Sequence, residues 1–163
     1  MNPVEYFNKN KREKYWSKNS SDYKCWFEKM LNHLLIEIKF NSSEKEMNSF
    51  IYRLGLGYWG IGVQYGLSSG IKTQDSVTKP NAKDHVFGTV EIGKFIHSEF
   101  EKNSFDIDYM VNEWLYENLW LWMTIKVSKE EHKKENIERN SHTLNEKKEL
   151  RHYKNISDLI FKS

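Results

Sequence analysis

The sequence predicts an α+β fold, with helices packed around a small sheet, and three stretches carry that expectation. Tyr23, Trp26, Phe27, Met30, Leu31, Leu34, Leu35 and Ile38 recur at i, i+3, i+4 and i+7, the period of a helix with one broad apolar face. From Tyr58 to Tyr65 two sets of residues alternate, Tyr58, Gly60, Gly62 and Gln64 against Trp59, Ile61, Val63 and Tyr65, which is the period of a strand. Met123 to Val127 has strand character and runs into Ser128-Lys-Glu-Glu131, a capping-box signature that starts a new helix at Lys129. We read residues 1–163 as a single domain with a basic N-terminal arm (1–20), a core (21–138) and a charged C-terminal extension (139–163).

Composition narrows the classes. Aromatic residues make up 15% of the chain, enough bulky apolar side chains for a core, so the 29% charged content reads as a solvated surface and not as disorder. Cys25 is the only cysteine, which excludes an intramolecular disulfide and a cysteine-based zinc site. Met1 to Lys18 has no apolar stretch of signal-peptide length, and no run of about 18 apolar residues is present to span a bilayer. The expected location is therefore the cytoplasm, with no membrane partner. The net charge of +2 hides an uneven distribution. Residues 1–85 carry 13 basic and 9 acidic side chains, residues 86–122 carry 2 and 7, and residues 123–163 carry 10 and 7. Basic flanks around an acidic middle fit a polyanionic partner, and equally a solvated surface of mixed charge.

In chain order, Asn8 to Ser20 is basic and holds Tyr15 and Trp16. It reads either as an arm touching phosphates or as a solvated helix end whose aromatics dock on the body. The helix that follows has Ser20 or Ser21 as candidate N-cap. His33 lies just off its apolar face. Ser42 to Met47 is a polar connection or helix start. Arg53 to Gly66 holds five of the eight glycines. It lacks the Lys-Ser/Thr ending of a phosphate-binding P-loop and the context of a dinucleotide site, so its bare backbone suits close packing. Residues 66–82, rich in Ser, Thr, Gly and Lys, read as an exposed loop. A helix with Val90, Phe95, Ile96 and Phe100 on one face is expected over 90–102. A second, over 106–122, would turn Tyr109, Met110, Trp114, Leu115 and Leu119 inward. Residues 133–154 are charged and helical in part, and Ile156, Leu159, Ile160 and Phe161 form a small apolar anchor.

Chemistry concentrates at two places. Lys83-Asp84-His85-Val86 follows the turn-prone Lys79-Pro80-Asn81. It sets a carboxylate, a hard oxygen ligand for a divalent ion, beside an imidazole, the side chain whose ordinary pKa lies nearest neutrality. Downstream, Met123-Thr-Ile-Lys-Val-Ser-Lys-Glu-Glu-His132 puts His132 in the first turn of a capped helix. Structural roles are open to the same residues: Asp84 as a turn cap paired with His85, and His132 as an ordinary helix residue. His97, His142 and His152 fall on polar stretches.

These two segments resemble those of the HNH, or ββα-metal, endonucleases, particularly small HNH-like proteins of tailed bacteriophages. Asp84-His85-Val86 matches the first strand, and Thr124-Ile-Lys-Val-Ser-Lys-Glu-Glu-His132 the closing strand and helix start. The resemblance implies a ββα-metal-like motif interrupted by a helical insertion, residues 87–122. It also implies a metal-dependent DNA endonuclease that hydrolyses phosphodiester bonds, of the kind seen in free-standing phage homing endonucleases. By position, His85 would be the general base, and Asp84 and His132 would hold one divalent ion, Mg2+ or Mn2+. Lys83, Lys126, Lys129 and Lys133 would contact phosphates. The family's base-orienting Asn has Asn112 and Asn118 as candidates, and the cysteine pairs that often brace such domains are absent. A homodimer is the arrangement that would let one site per chain cut both strands.

Two alternatives remain. Asp84, Glu91 and Lys94 loosely resemble the PD-(D/E)XK nuclease constellation, although Glu91-Ile-Gly-Lys94 has one residue more than the usual Glu-x-Lys. The other is a non-catalytic nucleic-acid-binding phage accessory protein that uses the basic flanks.

Overall fold

A computed structural model describes residues 2–56, 66–138 and 159–161. The strand expected over 58–65, and His142, His152 and Ile156, lie outside the described residues. The fold is α+β, as the sequence patterns predict. No helix among the described residues is long and apolar enough to cross a membrane.

The N-terminal segment belongs to the core. Helix α1 (Pro3–Asn10) is capped by Asn2, whose side chain accepts from the Glu5 N–H at 2.9 Å, and it buries Val4, Tyr6 and Phe7. Helix α2 (Arg12–Lys39) starts well before the expected Ser20/Ser21 cap and buries Tyr23, Phe27, Leu31 and Leu34. Trp26, at the flank of that stripe, is exposed and carries the Lys29 ammonium 4.6 Å above its ring. Tyr15 and Trp16 pack against the core, and the Tyr15 hydroxyl donates to the Ser68 carbonyl at 2.9 Å. The basic segment is thus a docked helix and not an arm.

Helices α3 (Glu44–Leu56) and α4 (Thr89–Lys102) cross at two glycines. A Cβ on Gly55 would lie 1.6 Å from the Thr89 carbonyl oxygen, and one on Gly93 would lie 2.1 Å from that of Ile51. The close packing expected of the glycine-rich stretch is realised at its first glycine. Val90 is exposed, while Ile92, Ile96 and Phe100 are buried.

The single helix expected over 106–122 is broken. Asp106 caps a short turn, α5 (Ile107–Tyr109), and a π-helical turn (Met110–Trp114) leads into α6 (Leu115–Glu117) and a 3-10 turn (Leu119–Trp122). The wider π turn shifts the angular register. Met110, Val111, Trp114, Leu115 and all of Leu119–Trp122 are buried, whereas Tyr109 turns to solvent.

Among the described residues, strands β1 (Leu67–Thr73), β2 (Asn81–His85), β3 (Met123–Ser128) and β4 (Leu159–Ile160) form one sheet in the order β2-β3-β1-β4. β3 runs antiparallel to β2 and parallel to β1. β1 replaces the expected exposed loop. Its inward residues are Leu67, Ser69, Ile71 and Thr73, half of them hydroxylic, so no apolar alternation marks the strand in the sequence. Its register slips between Ser68 and Lys72, around Gly70 at φ +80°. There the buried Ser69 hydroxyl donates to the Thr124 carbonyl at 2.6 Å.

Candidate functional site

Helix α7 (Lys129–Glu138) follows β3 directly and packs on both β2 and β3. The chain therefore builds a strand–strand–helix unit from β2, β3 and α7, with residues 86–122 inserted between its strands. The predicted capping box is present: the Glu131 N–H donates to Ser128 Oγ at 3.1 Å, and the Ser128 N–H donates to Glu131 Oε2 at 2.9 Å. Further bonds fasten this helix start. The Thr73 hydroxyl donates to Glu131 Oε2 at 2.6 Å, and the Lys129 N–H donates to the Pro80 carbonyl at 2.8 Å. Lys79 bridges Asp75 at 3.0 Å and Glu130 at 3.1 Å. The Ser128 hydroxyl also bonds to Asp75, and this bond, followed by that from Lys79, holds the Asp75 carboxyl below its ordinary range. The first turn of α7 is thus tied to β1, to the β1–β2 connection and to β3, which fixes its rotation.

That rotation brings His132 to Asp84. Asp84 lies directly opposite Ile125 on the inner face of the sheet, and its side chain is 1% exposed. His132 is 32% exposed, and its Nδ1 lies 3.3 Å from Asp84 Oδ1. A charge-assisted N–H···O bond between such atoms closes to about 2.7–2.9 Å. Here Nδ1 is buried and makes no hydrogen bond among the described residues. Two atoms each about 2.1 Å from one small divalent ion, at a right or tetrahedral angle, are separated by about 3.0–3.4 Å. The observed spacing falls in that range, so an oxygen and a nitrogen donor here fit two corners of a coordination shell. Among the described residues no group of three or more His, Cys, Asp or Glu gathers around one point, so Asp84 and His132 are the two ligands that the described residues would supply. Mg2+ is commonly held through one or two carboxylates, with waters and substrate phosphates completing the shell.

His85 points elsewhere. Strand alternation turns it to the outer face, opposite Thr124. A Cβ on Gly66 would lie 2.4 Å from Thr124 Cγ2 and 3.0 Å from His85 Cε1. The structure therefore joins Asp84 to His132 on one face and places His85 on the other. Among the described strands β2 lies at one edge, so its two faces meet along that margin of the sheet.

The four expected phosphate contacts separate into two groups. Lys83 and Lys126 are directly opposite each other on the outer face of the sheet, and Lys129 and Lys133 are exposed one turn apart on α7. The amides of Asn112 and Asn118 bond back to the carbonyls of Asp108 and Trp114 in their own helical turns, so both are engaged away from His85. Glu91 and Lys94 stand on α4 and not on a strand, and the Glu91 carboxylate accepts from the Gly88 N–H at 3.2 Å as a helix-start cap. Sequence reasoning missed Thr73 as the anchor of Glu131, and Lys72, which faces Lys126 from β1, because both fall in the stretch read as loop. Comparison with protein-family profiles, curated proteins and solved structures finds no match to the chain.

Proposed function

We propose that the chain is a metal-dependent DNA endonuclease, with Asp84 and His132 holding one divalent ion, Mg2+ or Mn2+, and His85 as general base. The observation that carries this reading is the meeting of Asp84 and His132 at 3.3 Å, from elements separated by the whole 86–122 insertion. When bound, the ion would supply positive charge to the non-bridging and leaving oxygens of a phosphodiester. Asp84 supplies a charged ligand from the rigid sheet, and the clamped first turn of α7 holds His132 against it. His85, at the end of the edge strand, would take the proton of the attacking water from the other side of that margin. Lys129 and Lys133 flank His132 on α7 and would hold the adjoining phosphates.

Plasmid nicking with Mg2+ or Mn2+ tests the proposal. Asp84→Asn and His132→Ala are expected to abolish metal-dependent nicking, and His85→Ala to slow it by about 10²–10⁴-fold. A second readout needs no activity: Mn2+ at 100 times its Kd should stabilise the parent protein by about 2.7 kcal/mol, seen as a raised Tm, and leave Asp84→Asn unmoved. Nicking that survives in His132→Ala, or an equal Tm rise in Asp84→Asn, would sink the assignment.

A further inference from the structure

We infer that Thr73 is a positioning residue for the metal site: its hydroxyl, acting through Glu131, sets where His132 stands and thereby how tightly a divalent ion is held. The inference rests on the metal reading proposed above. Four consecutive residues at the start of α7 are each gripped by the stretch that leads from the end of β1 into β2. The Ser128 hydroxyl bonds to Asp75, the Lys129 N–H donates to the Pro80 carbonyl, Glu130 pairs with Lys79, and Glu131 accepts from Thr73. His132 is the next residue along the helix.

These grips are unequal. Lys79 and Glu130 are both exposed, where an ion pair restrains its side chains weakly. Thr73 and Glu131 are buried, and their 2.6 Å separation is that of a charge-assisted O–H···O bond, about 2.5–2.7 Å. The direction of the bond is set as well. Thr73 Oγ1 accepts from the Ser76 N–H at 3.3 Å, and the Ser76 hydroxyl donates to the Thr73 carbonyl at 2.7 Å, which leaves the Thr73 proton for Glu131 Oε2. That oxygen also accepts from the Ser128 N–H at 2.9 Å, so one carboxylate joins the helix cap to β1. A capping-box glutamate completes its local duty with the bond to the cap N–H. The second bond, to a strand residue 58 positions away, serves placement.

The sheet order shows what is placed. β3 lies between β1 and β2. Asp84 is therefore held by the strand on one side of β3, and His132, through Glu131 and Thr73, by the strand on the other. Between them they fix the 3.3 Å gap. Without the Thr73 hydroxyl the cap remains, but the helix start can turn about the end of β3. At a side-chain radius of roughly 6 Å a turn of about 10° moves a ligand atom by about 1 Å. Metal–ligand distances tolerate only about 0.2 Å.

The test is the Mn2+ affinity of the folded full chain, read as free Mn2+ by electron paramagnetic resonance, beside nicking rates at stepped Mn2+ concentrations. Thr73→Val keeps the side-chain shape and removes the hydroxyl. It should weaken Mn2+ binding by about 10–100-fold and raise the Mn2+ needed for half-maximal nicking in proportion, with the rate at saturating Mn2+ kept. Thr73→Ser, which retains the hydroxyl, should bind as the parent does. Gly93→Ala, which loosens the helix crossing away from the site, should lower Tm and leave the Kd unchanged. A folded Thr73→Val with the parental Kd, a Thr73→Ser as weak as Thr73→Val, or an equal loss in Gly93→Ala overturns the inference. Should Thr73→Val not fold, Thr73→Ala takes its place, and failure of both to fold assigns the hydroxyl to folding and overturns the inference too. Asp84→Asn separates the two proposals. Mn2+ binding lost there but parental in Thr73→Val keeps the metal site and discards the positioning role, whereas a parent that binds no Mn2+ discards the metal reading itself.

Discussion

Burying a carboxylate away from water costs several kcal/mol unless a cation or donors meet it, and Asp84 is almost fully buried beside a histidine. The residues around it have separate duties: Glu131 and Thr73 hold the helix, while Asp84 and His132 face each other. Asp75 gives this arrangement a pH signature. Its carboxyl is lowered in the folded protein, first by the Ser128 hydroxyl and then by Lys79. A lowered folded pKa contributes stability above the unfolded value of about 3.9, and that contribution is lost as pH falls through the folded value. The difference in Tm between the parent and Asp75→Asn should therefore be present at pH 7 and close below about pH 4. A difference that stays constant down to pH 2 would remove Asp75 from the clamp. Asp84, His132 and the Ser128–Glu131 box were legible in the sequence because their signals are local: an acid next to a turn, and a cap at fixed spacing. Thr73 was not, because its bond to Glu131 exists only once β1 is paired.

Elements repeat that contrast. β3 and α7 could be read from the strand-to-cap transition, and α2 from its apolar stripe. The π turn at Met110–Trp114 could not, since the wider turn leaves no mark in the local apolar pattern. The crossing of α3 and α4 offers a test with a reversed sign. Glycine inside a helix ordinarily costs about 0.5–1 kcal/mol relative to alanine, so Gly→Ala usually stabilises. At Gly93 the added methyl would meet the Ile51 carbonyl at 2.1 Å, and the helices must part. Gly93→Ala should lower the urea-unfolding free energy by about 1–3 kcal/mol. A gain in stability would mean that the two helices are not held this close.

At the scale of the whole molecule, the sheet order follows from no single stretch. The α+β class was visible in the helical periods and the strand-to-cap stretch at 123–131, but the insertion of β3 between β1 and β2 depends on pairing across the 86–122 segment. That placement has a consequence in time. β1 and β2 are joined by a short connection, and both pair with β3, one parallel and one antiparallel, so they run in opposite directions and could close on each other as a hairpin before β3 arrives. Such a hairpin would form in about 1–10 μs, far ahead of a parallel pairing across a long crossover. The native sheet must then open it to admit β3, and only after that can α7 carry His132 to Asp84. Refolding followed by tryptophan fluorescence should roll over at low urea, the sign of a populated intermediate. A straight folding arm would show that β3 reaches its slot first.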